Sequence, residues 1–506
     1  MAQRGRDSVV EEKVLSPFDA ISDFVRFDVS AERGKTDALP HRILHQREPF
    51  SRRAVRHIVI VFLGYLNSSY HPGMGTGRKA PSQRIRIGNK RKIGFVCSGG
   101  ATKAGAFHVG VALALQEQGF RFYGGRLPAD GSPPRPPGPM EISTYVGSSA
   151  GSIISTFLSA GYSLENIFNS FLGRESTEEA DRLPKPLPRL TYPMMFRLRG
   201  GLAREQIGQI LHFKKILTSL LKGDFDVISQ FKWIKATGLF STEGLEQYLR
   251  EEVLSSNKFQ DYMADLFIVA TQLNHSRKVV FGKYSYQPPP HDLTCQYDNG
   301  VGISQACAAS TALPFVFAPY LIKNQHDREL AYIDGEIRDT LSTHVAIDAG
   351  CDLVIASYTH QPYHFLKEIG SLTNYGLPAI LVQSIYLLIE QKINNHIHNK
   401  EIQRSAINAV LRYCKQEGVS PDHTQRICEL LEAELHHRMD VDTIYIHPSP
   451  TDSAMFFGDH FSLSPKRMSE YVKSGFRSAI DVLRKYEFED RRDEGKTLPT
   501  GSPRDR

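Results

Sequence analysis

The pattern of apolar and polar positions changes character near residue 90. Upstream, Ser16 followed by Pro17 gives an N-cap with proline at the first helical position, and Phe18, Ile21 and Val25 recur at helical spacing, so one amphipathic helix is expected. The Gly-bearing stretch from His71 to Ser82 reads as a loop. From Lys92 onward strands and helices alternate. Ile93–Cys97 is a short buried strand, and after a Gly-rich turn Ala106–Gln118 is helical and stops at Gly119. Six prolines between Pro128 and Pro139 mark a loop that leads to a second strand, Ile142–Val146. The following helix, from about Ser149 to Ala160, turns Ile153, Ile154, Phe157 and Leu158 inward and ends at Gly161, and another begins near Ser163.

Further along, Glu175–Leu190 reads as loop and Phe196–Leu254 as mainly helical. Strands are expected at Leu266–Thr271, Val279–Phe281, Leu330–Ile333 and Leu353–Ala356, helices between Asn374 and Arg438, and a late strand at Thr443–Ile446. This alternation predicts an α/β fold with a mainly parallel sheet covered on both faces by helices. The expected division is a basic leader over 1–89, an α/β domain over 90–360, a mainly helical extension over 361–486 that packs on it, and a charged, disordered tail over 487–506.

Composition narrows the class. With 41% hydrophobic and 23% charged residues over 506 positions, wholly disordered, collagenous and disulfide-scaffold proteins are excluded. The six cysteines, Cys97, Cys295, Cys307, Cys351, Cys414 and Cys428, show no metal-ligand spacing and read as thiols of a reducing compartment. Neither Ile58–Leu66 nor Leu377–Ile389, interrupted by Gln383 and Ser384, reaches the roughly 20 apolar residues of a membrane span, and the second reads as a buried or interfacial helix. The expected location is cytoplasmic, with peripheral membrane contact as its extension. Of the net charge of +6, the stretch Arg42 to Lys92 holds twelve Lys or Arg against the single acid Glu48. A block of that kind suits an anionic membrane surface or a nucleic acid, or is a solvated leader before the main domain; between the two partners a peripheral contact with an anionic membrane is expected and nucleic acid is not.

Three short segments carry chemistry. Gly147-Ser148-Ser149-Ala150-Gly151 follows an apolar strand and opens a helix, which is the setting of a G-x-S-x-G nucleophile elbow with Ser149 as the nucleophile. An alternative is a Gly-rich turn whose serine only caps the helix. Cys97-Ser98-Gly99-Gly100-Ala101-Thr102-Lys103-Ala104-Gly105 also joins a strand to a helix, and its glycines free backbone N–H groups for an anion. A nucleotide phosphate is disfavoured there, because Lys103 precedes Ala104 and no Lys-Ser/Thr pair closes the loop. In Tyr332-Ile333-Asp334-Gly335-Glu336 a strand delivers an aspartate into a glycine turn, at the edge where open α/β sheets place their sites.

Taken in order, these segments resemble the patatin-like phospholipase family, serine acyl hydrolases with a Ser-Asp dyad. The likeness runs from about Ile93 to His360 and includes Gly105-Ala106-Phe107-His108-Val109-Gly110-Val111 and Ala308-Ala309-Ser310-Thr311-Ala312-Leu313-Pro314-Phe315. It implies a three-layer α/β/α fold, with Ser149 and Asp334 as the catalytic pair, N–H groups of Gly99, Gly100 and Ala101 as the oxyanion hole, and Gly105, Gly147, Gly151 and Gly335 as motif glycines. It calls for no metal and no cofactor. Two departures stand out. Ala101 replaces a glycine and Thr102-Lys103-Ala104 is one residue longer than usual, so Lys103 matches the family's basic residue only loosely; and Glu336 stands where the family has Gly or Ala.

The expected activity is cleavage of a fatty-acyl ester of phospholipase A or esterase type through an acyl-enzyme, with a lipid as substrate and the helix around Leu377–Ile393 as a cover for the acyl pocket or ordinary core. Two alternatives remain, the first on the same fold and the second an ordinary α/β hydrolase. One is a lipid-binding or regulatory protein of weak turnover, suggested by the altered glycine turn and Glu336. The other is a Ser-Asp-His triad, since His344 and His360 follow Asp334. His108 is expected to pack or hydrogen-bond rather than catalyse.

Overall fold

Ile93–Cys97 is uncharged at every position, and all five residues are buried in strand β1. In the computed structural model, which describes residues 84–174, 186–198, 238, 240–284, 294–314, 316–323 and 327–488, this strand is central to a sheet of ten. All described residues belong to the unit Gly75–Arg506. The other strands are β2 Arg121–Phe122, β3 Glu141–Ser148, β4 Asp265–Gln272, β5 Arg277–Gly282, β6 Cys295–Asp298, β7 Tyr320–Lys323, β8 Glu329–Asp334, β9 Leu353–Ser357 and β10 Asp442–Ile446. Along the main path the order is β7-β8-β4-β3-β1-β9-β10, with β2 beside β3 and β5 between β4 and β6.

From β4 through β3, β1 and β9 to β10 every pair is parallel. The sheet is therefore mainly parallel at its centre, as the alternation of strands and helices predicts. The β4–β5, β4–β8 and β7–β8 pairs are antiparallel; the four-residue connection Leu273–Ser276 between β4 and β5 is too short to hold a crossover helix. Strands β6 and β7 are not among those expected from the sequence.

Alternation within the buried strands divides the core. Phe95, Tyr145, Ile268 and Ile355 point to one face, Val96, Val146, Val269 and Val354 to the other. On the first face lie helices α1 Ala101–Glu117, α2 Ala150–Ser159, α3 Leu164–Leu172, α4 Ile303–Ser310 and α8 Pro465–Leu483. On the second lie α5 Thr343–Asp348 and, through Ile393, α6 Gly376–Gln416; the helix α7 Pro421–Glu434 packs against α6. The result is an α/β/α sandwich with much helix in its C-terminal part.

Residues beyond 360 take part in this body. β10 extends the sheet and α8 lies along α1, where the two backbones meet at paired glycines: a Cβ at Gly110 would come within 2.0 Å of the Val472 carbonyl oxygen, and one at Gly475 within 2.0 Å of that of Phe107. Tyr486–Phe488, which includes the first residues of the expected tail, pairs in parallel with Ile85–Ile87 at the end of the expected leader. The amphipathic helix after Ser16, the run Ile58–Leu66 and most of the helical stretch after Phe196 lie outside the described residues. All six cysteines are free thiols. Among the described residues no helix is long and apolar enough to cross a membrane.

Candidate active site

Strand β4 brings the two ends of the candidate dyad together. One of its edges is taken by β5, which pairs with both Val269 and Ala270. On the other edge Val269 faces Ser148, the last residue of parallel β3, and the next position, Ala270, faces Asp334, the last residue of antiparallel β8. The two strands thus approach from opposite directions and end against each other, which puts Ser149 and Asp334 side by side.

Ser149 sits in the elbow that the motif requires. Its backbone has φ 51° and ψ −125°, a conformation that L-residues adopt only under constraint, and it opens α2. Close packing explains the flanking glycines: a Cβ at Gly147 would lie 2.4 Å from Cα of Ser152, and one at Gly151 only 2.2 Å from the Cys97 carbonyl oxygen. The Ser149 N–H donates to Ser310 Oγ (2.8 Å), whose own hydroxyl donates to the Val269 carbonyl (2.6 Å), while Ser152 N–H and Oγ donate to the Ser149 carbonyl.

Asp334 is buried, with 2% of its surface exposed. Removal from water raises its carboxyl pKa to about 6, although hydrogen bonds from the Ser149 side chain and the Glu336 N–H pull the other way. The Glu336 N–H reaches Oδ1 at 2.9 Å. Gly335 allows this turn, since a Cβ there would meet the Val269 carbonyl at 2.2 Å and Ser148 Oγ at 2.6 Å.

The glycine turn is shorter than expected because α1 begins at Ala101 rather than Ala106. Gly100, the N-cap of α1, has φ 128° and would, with a side chain, collide with Thr359 Oγ1, so the turn into the helix requires glycine there. Among the described residues the N–H groups of Gly100 and Ala101 have no acceptor, which leaves them free for an anion at a helix N-terminus. The Gly99 N–H is taken: it donates to Glu336 Oε1 at 2.8 Å. A Cβ at Gly105 would have no neighbour closer than 3.7 Å, so this glycine is not sterically obliged.

The histidines are placed elsewhere. His108 bridges the Ser357 hydroxyl (2.7 Å) and the Ser98 carbonyl (2.9 Å) in the buried core. His344 lies 2.8 Å from Lys278 Nζ and close to Asp339. His360 borders the glycine turn, and its Nδ1 faces Glu336 Oε2 at 4.0 Å. Neither His344 nor His360 hydrogen-bonds Ser149 or Asp334 among the described residues. Lys103 is buried under α6, donating to the Met455 carbonyl (2.6 Å) and to Tyr386 (3.2 Å). Burial lowers its pKa to about 7. It ties the turn to the C-terminal part and does not face the cavity.

Ser149, Asp334, Glu336, Gly100 and Ala101 lie together on a cavity of about 500 Å³ whose remaining wall is mainly apolar, with Ile153, Phe157, Phe171, Leu245, Phe317, Val382, Ile389 and Met468 among others, and carries a few polar groups such as Arg189, His360, Lys392 and His460. Such a chamber has room for a flexible hydrocarbon segment and little to offer a polar one. A model of the patatin-like phospholipases matches residues 95–347, half of the chain. The chain belongs to the patatin-like phospholipase family. That is a family of lipid acyl hydrolases, and membership implies a hydrolase. No curated protein matches the chain.

The patatin-like match starts in β1 and ends in α5, so it contains both candidate dyad residues, Ser310 and Glu336. It omits His360, the α6 segment 382–392 and the stretch 460–468, all of which complete the cavity. Ser310 is visible in the sequence only as part of the Ala308–Phe315 pattern, with no role attached. The wall formed by 460–468 leaves no signal there beyond ordinary apolar residues.

Proposed function

We propose that this chain is a serine lipid acyl hydrolase of phospholipase A or esterase type that works through Ser149 and Asp334. The hydroxyl of Ser149 attacks the ester carbonyl as Asp334 takes its proton, and the oxyanion that forms is held by the N–H groups of Gly100 and Ala101 at the α1 N-terminus. Collapse expels the alcohol or lysolipid, which receives the proton from Asp334. Water, deprotonated by the same carboxylate, then releases the fatty acid from Ser149. The observation that carries this reading is the meeting of Ser149 and Asp334 on a mainly apolar cavity. Labelling by a serine-directed fluorophosphonate, with the adduct mapped to Ser149, tests it; a folded protein that stays unlabelled and hydrolyses no short-chain ester would refute it.

A second reading, a lipid-binding protein of weak turnover, is favoured by one observation, the capture of the Gly99 N–H by Glu336. Lipid binding without Ser149-dependent ester hydrolysis separates the two. The triad alternative has no contact to support it.

Access to lipid fits a peripheral position on a membrane. Between Gly376 and Ile389 helix α6 carries no charge, and Leu377, Leu381, Ile385 and Leu388, on one side of the helix, are each more than half exposed. Ile385 and Leu388 also line the cavity, so this surface is continuous with the proposed acyl site. The basic stretch contributes less than its composition suggests where it is described. Lys90 pairs with Asp442 (2.8 Å), Arg91 with Asp352 and Lys92 with Asp265 (2.7 Å), which engages these charges within the fold.

A further inference from the structure

Glu336 is one of the two places where the sequence departs from the pattern it resembles, and its surroundings are specific. Its backbone N–H holds Asp334, its Oε1 accepts the Gly99 N–H, and its Cγ fills the space beside Gly99 that Ser149 Cβ borders from the other side. The second oxygen, Oε2, is fully enclosed without a hydrogen-bond partner, and so is the atom it faces, His360 Nδ1. A carboxylate would leave a charged oxygen enclosed without a donor, whereas a carboxylic acid accepts at Oε1 and carries a proton in place of that charge on Oε2.

Among the described residues no cation supports the ionised form. The groups whose fields reach Glu336 are Asp334 and Asp339, both acids, together with the Ser148 hydroxyl and the Gly99 N–H. His360 stays neutral, because burial and the nearby Lys103 and His108 push its pKa down to about 3. Burial and the Asp334 charge correspondingly raise Glu336 to about 8.

We propose that Glu336 is a positioning residue that serves acyl transfer only as an uncharged acid: protonated, it braces the oxyanion turn through Gly99, and ionised, it sets a second anion against both Asp334 and the oxyanion. Turnover then has an alkaline limit that belongs to this residue. The inference rests on the hydrolase reading above. It also explains how a glutamate is tolerated where a small residue is usual: as a neutral group it substitutes for packing and adds a hydrogen bond, at the cost of activity in alkali.

The experiment is the pH profile of kcat and kcat/KM for a soluble short-chain p-nitrophenyl ester, in the protein as it stands and in Glu336→Gln, with Ser149→Ala subtracted as the blank. Glutamine keeps an acceptor for Gly99 but cannot ionise. With a limit near 8, the parent protein is expected to lose about 100-fold in turnover by about pH 10, ten-fold per unit, and Glu336→Gln to stay flat over that range whatever its plateau. Thermal melting gives a readout independent of activity: between pH 6 and 9 the Tm of the parent falls relative to that of Glu336→Gln, the other titrating groups being common to both. An alkaline limb that persists unchanged in Glu336→Gln, with robust Ser149-dependent turnover, overturns this inference alone. Absence of Ser149-dependent turnover at every pH removes it together with the hydrolase reading.

Discussion

Ser148 and Asp334 end their strands opposite consecutive residues of β4, Val269 and Ala270, one strand running parallel and the other antiparallel to it. The position of the candidate base relative to the candidate nucleophile is therefore set by sheet register and not by a mobile loop. A one-residue slip of β8 would turn Asp334 to the opposite face.

With the proposed roles, Asp334 must be ionised to accept the Ser149 proton. Its pKa, raised to about 6, places the acid limit there: turnover is expected to fall about ten-fold per unit below that pH. Asp334→Asn should lower kcat by roughly 10³-fold or more, and combination with Ser149→Ala should add little, because the two act as one unit. Stability should move the other way. A carboxyl with a raised folded-state pKa contributes stability that is present below its unfolded value and is lost as pH rises through about 6, so Asp334→Asn is expected to melt higher than the parent at pH 7. His344→Ala, remote from the pair, should retain its activity; its loss in a folded protein would return the Ser-Asp-His alternative.

Ser310 links the elbow to the sheet, accepting from the Ser149 N–H and donating to the Val269 carbonyl. Ser310→Ala leaves a buried N–H unpaired beside a backbone already held at positive φ, at a cost of about 1–3 kcal/mol in stability. It should also lower kcat, by roughly 10-fold or more, with KM little changed, since misplacement of a nucleophile acts on the chemical step. Urea unfolding and steady-state kinetics on one preparation check both.

How much of this can be read from the chain depends on the range of the interaction. Strands β1 and β9 are buried on both faces and show as apolar runs, β3 is as buried but carries Ser143 and Thr144 within it, and the elbow shows because its glycines are needed by contacts within a few residues or with the neighbouring strand. The sequence puts the start of α1 five residues late because Gly99 to Gly105 looks like one turn, whereas Gly100 alone changes direction and Ala101 is already helical. The antiparallel β4–β5 pair follows from the four-residue turn Leu273–Ser276, a local signal that the strand-helix alternation elsewhere outweighs. The bonds Ser149–Ser310 and Gly99–Glu336 join residues 161 and 237 positions apart, and no local pattern encodes such pairings.

The meeting of α1 and α8 separates motif glycines from packing glycines. Gly475 and Gly110 allow backbone contact between the two helices, and each would place a Cβ about 2.0 Å from a carbonyl oxygen of the other. Gly475→Ala is expected to cost about 1–3 kcal/mol, as overpacking does, and Gly475→Val more. Gly105→Ala, in the motif but with its nearest contact at 3.7 Å, should leave the urea midpoint unchanged or raise it. If both behave alike, the helix contact is not what holds α8 in place.

The proposed membrane contact distinguishes two physical origins of lipid binding. Leu377, Ile380 and Leu381 are exposed on the uncharged start of α6 and do not line the cavity, so changing all three to Ser alters the surface without narrowing the acyl site. Full burial of one such side chain is worth about 1.5–3 kcal/mol, so even partial insertion of three should make vesicle binding weaker by ten-fold or more in the triple variant. Binding carried by this surface should persist from about 50 to about 500 mM salt, where the Debye length has shrunk to a few ångströms. It should also differ little between zwitterionic and anionic vesicles. Hydrolysis of a soluble short-chain ester should continue in the triple variant, which shows that the site is intact. Co-sedimentation that requires anionic lipid, disappears with salt and is indifferent to the three serines would assign membrane attachment to basic residues of the Arg42–Lys92 stretch and leave the apolar start of α6 without that role.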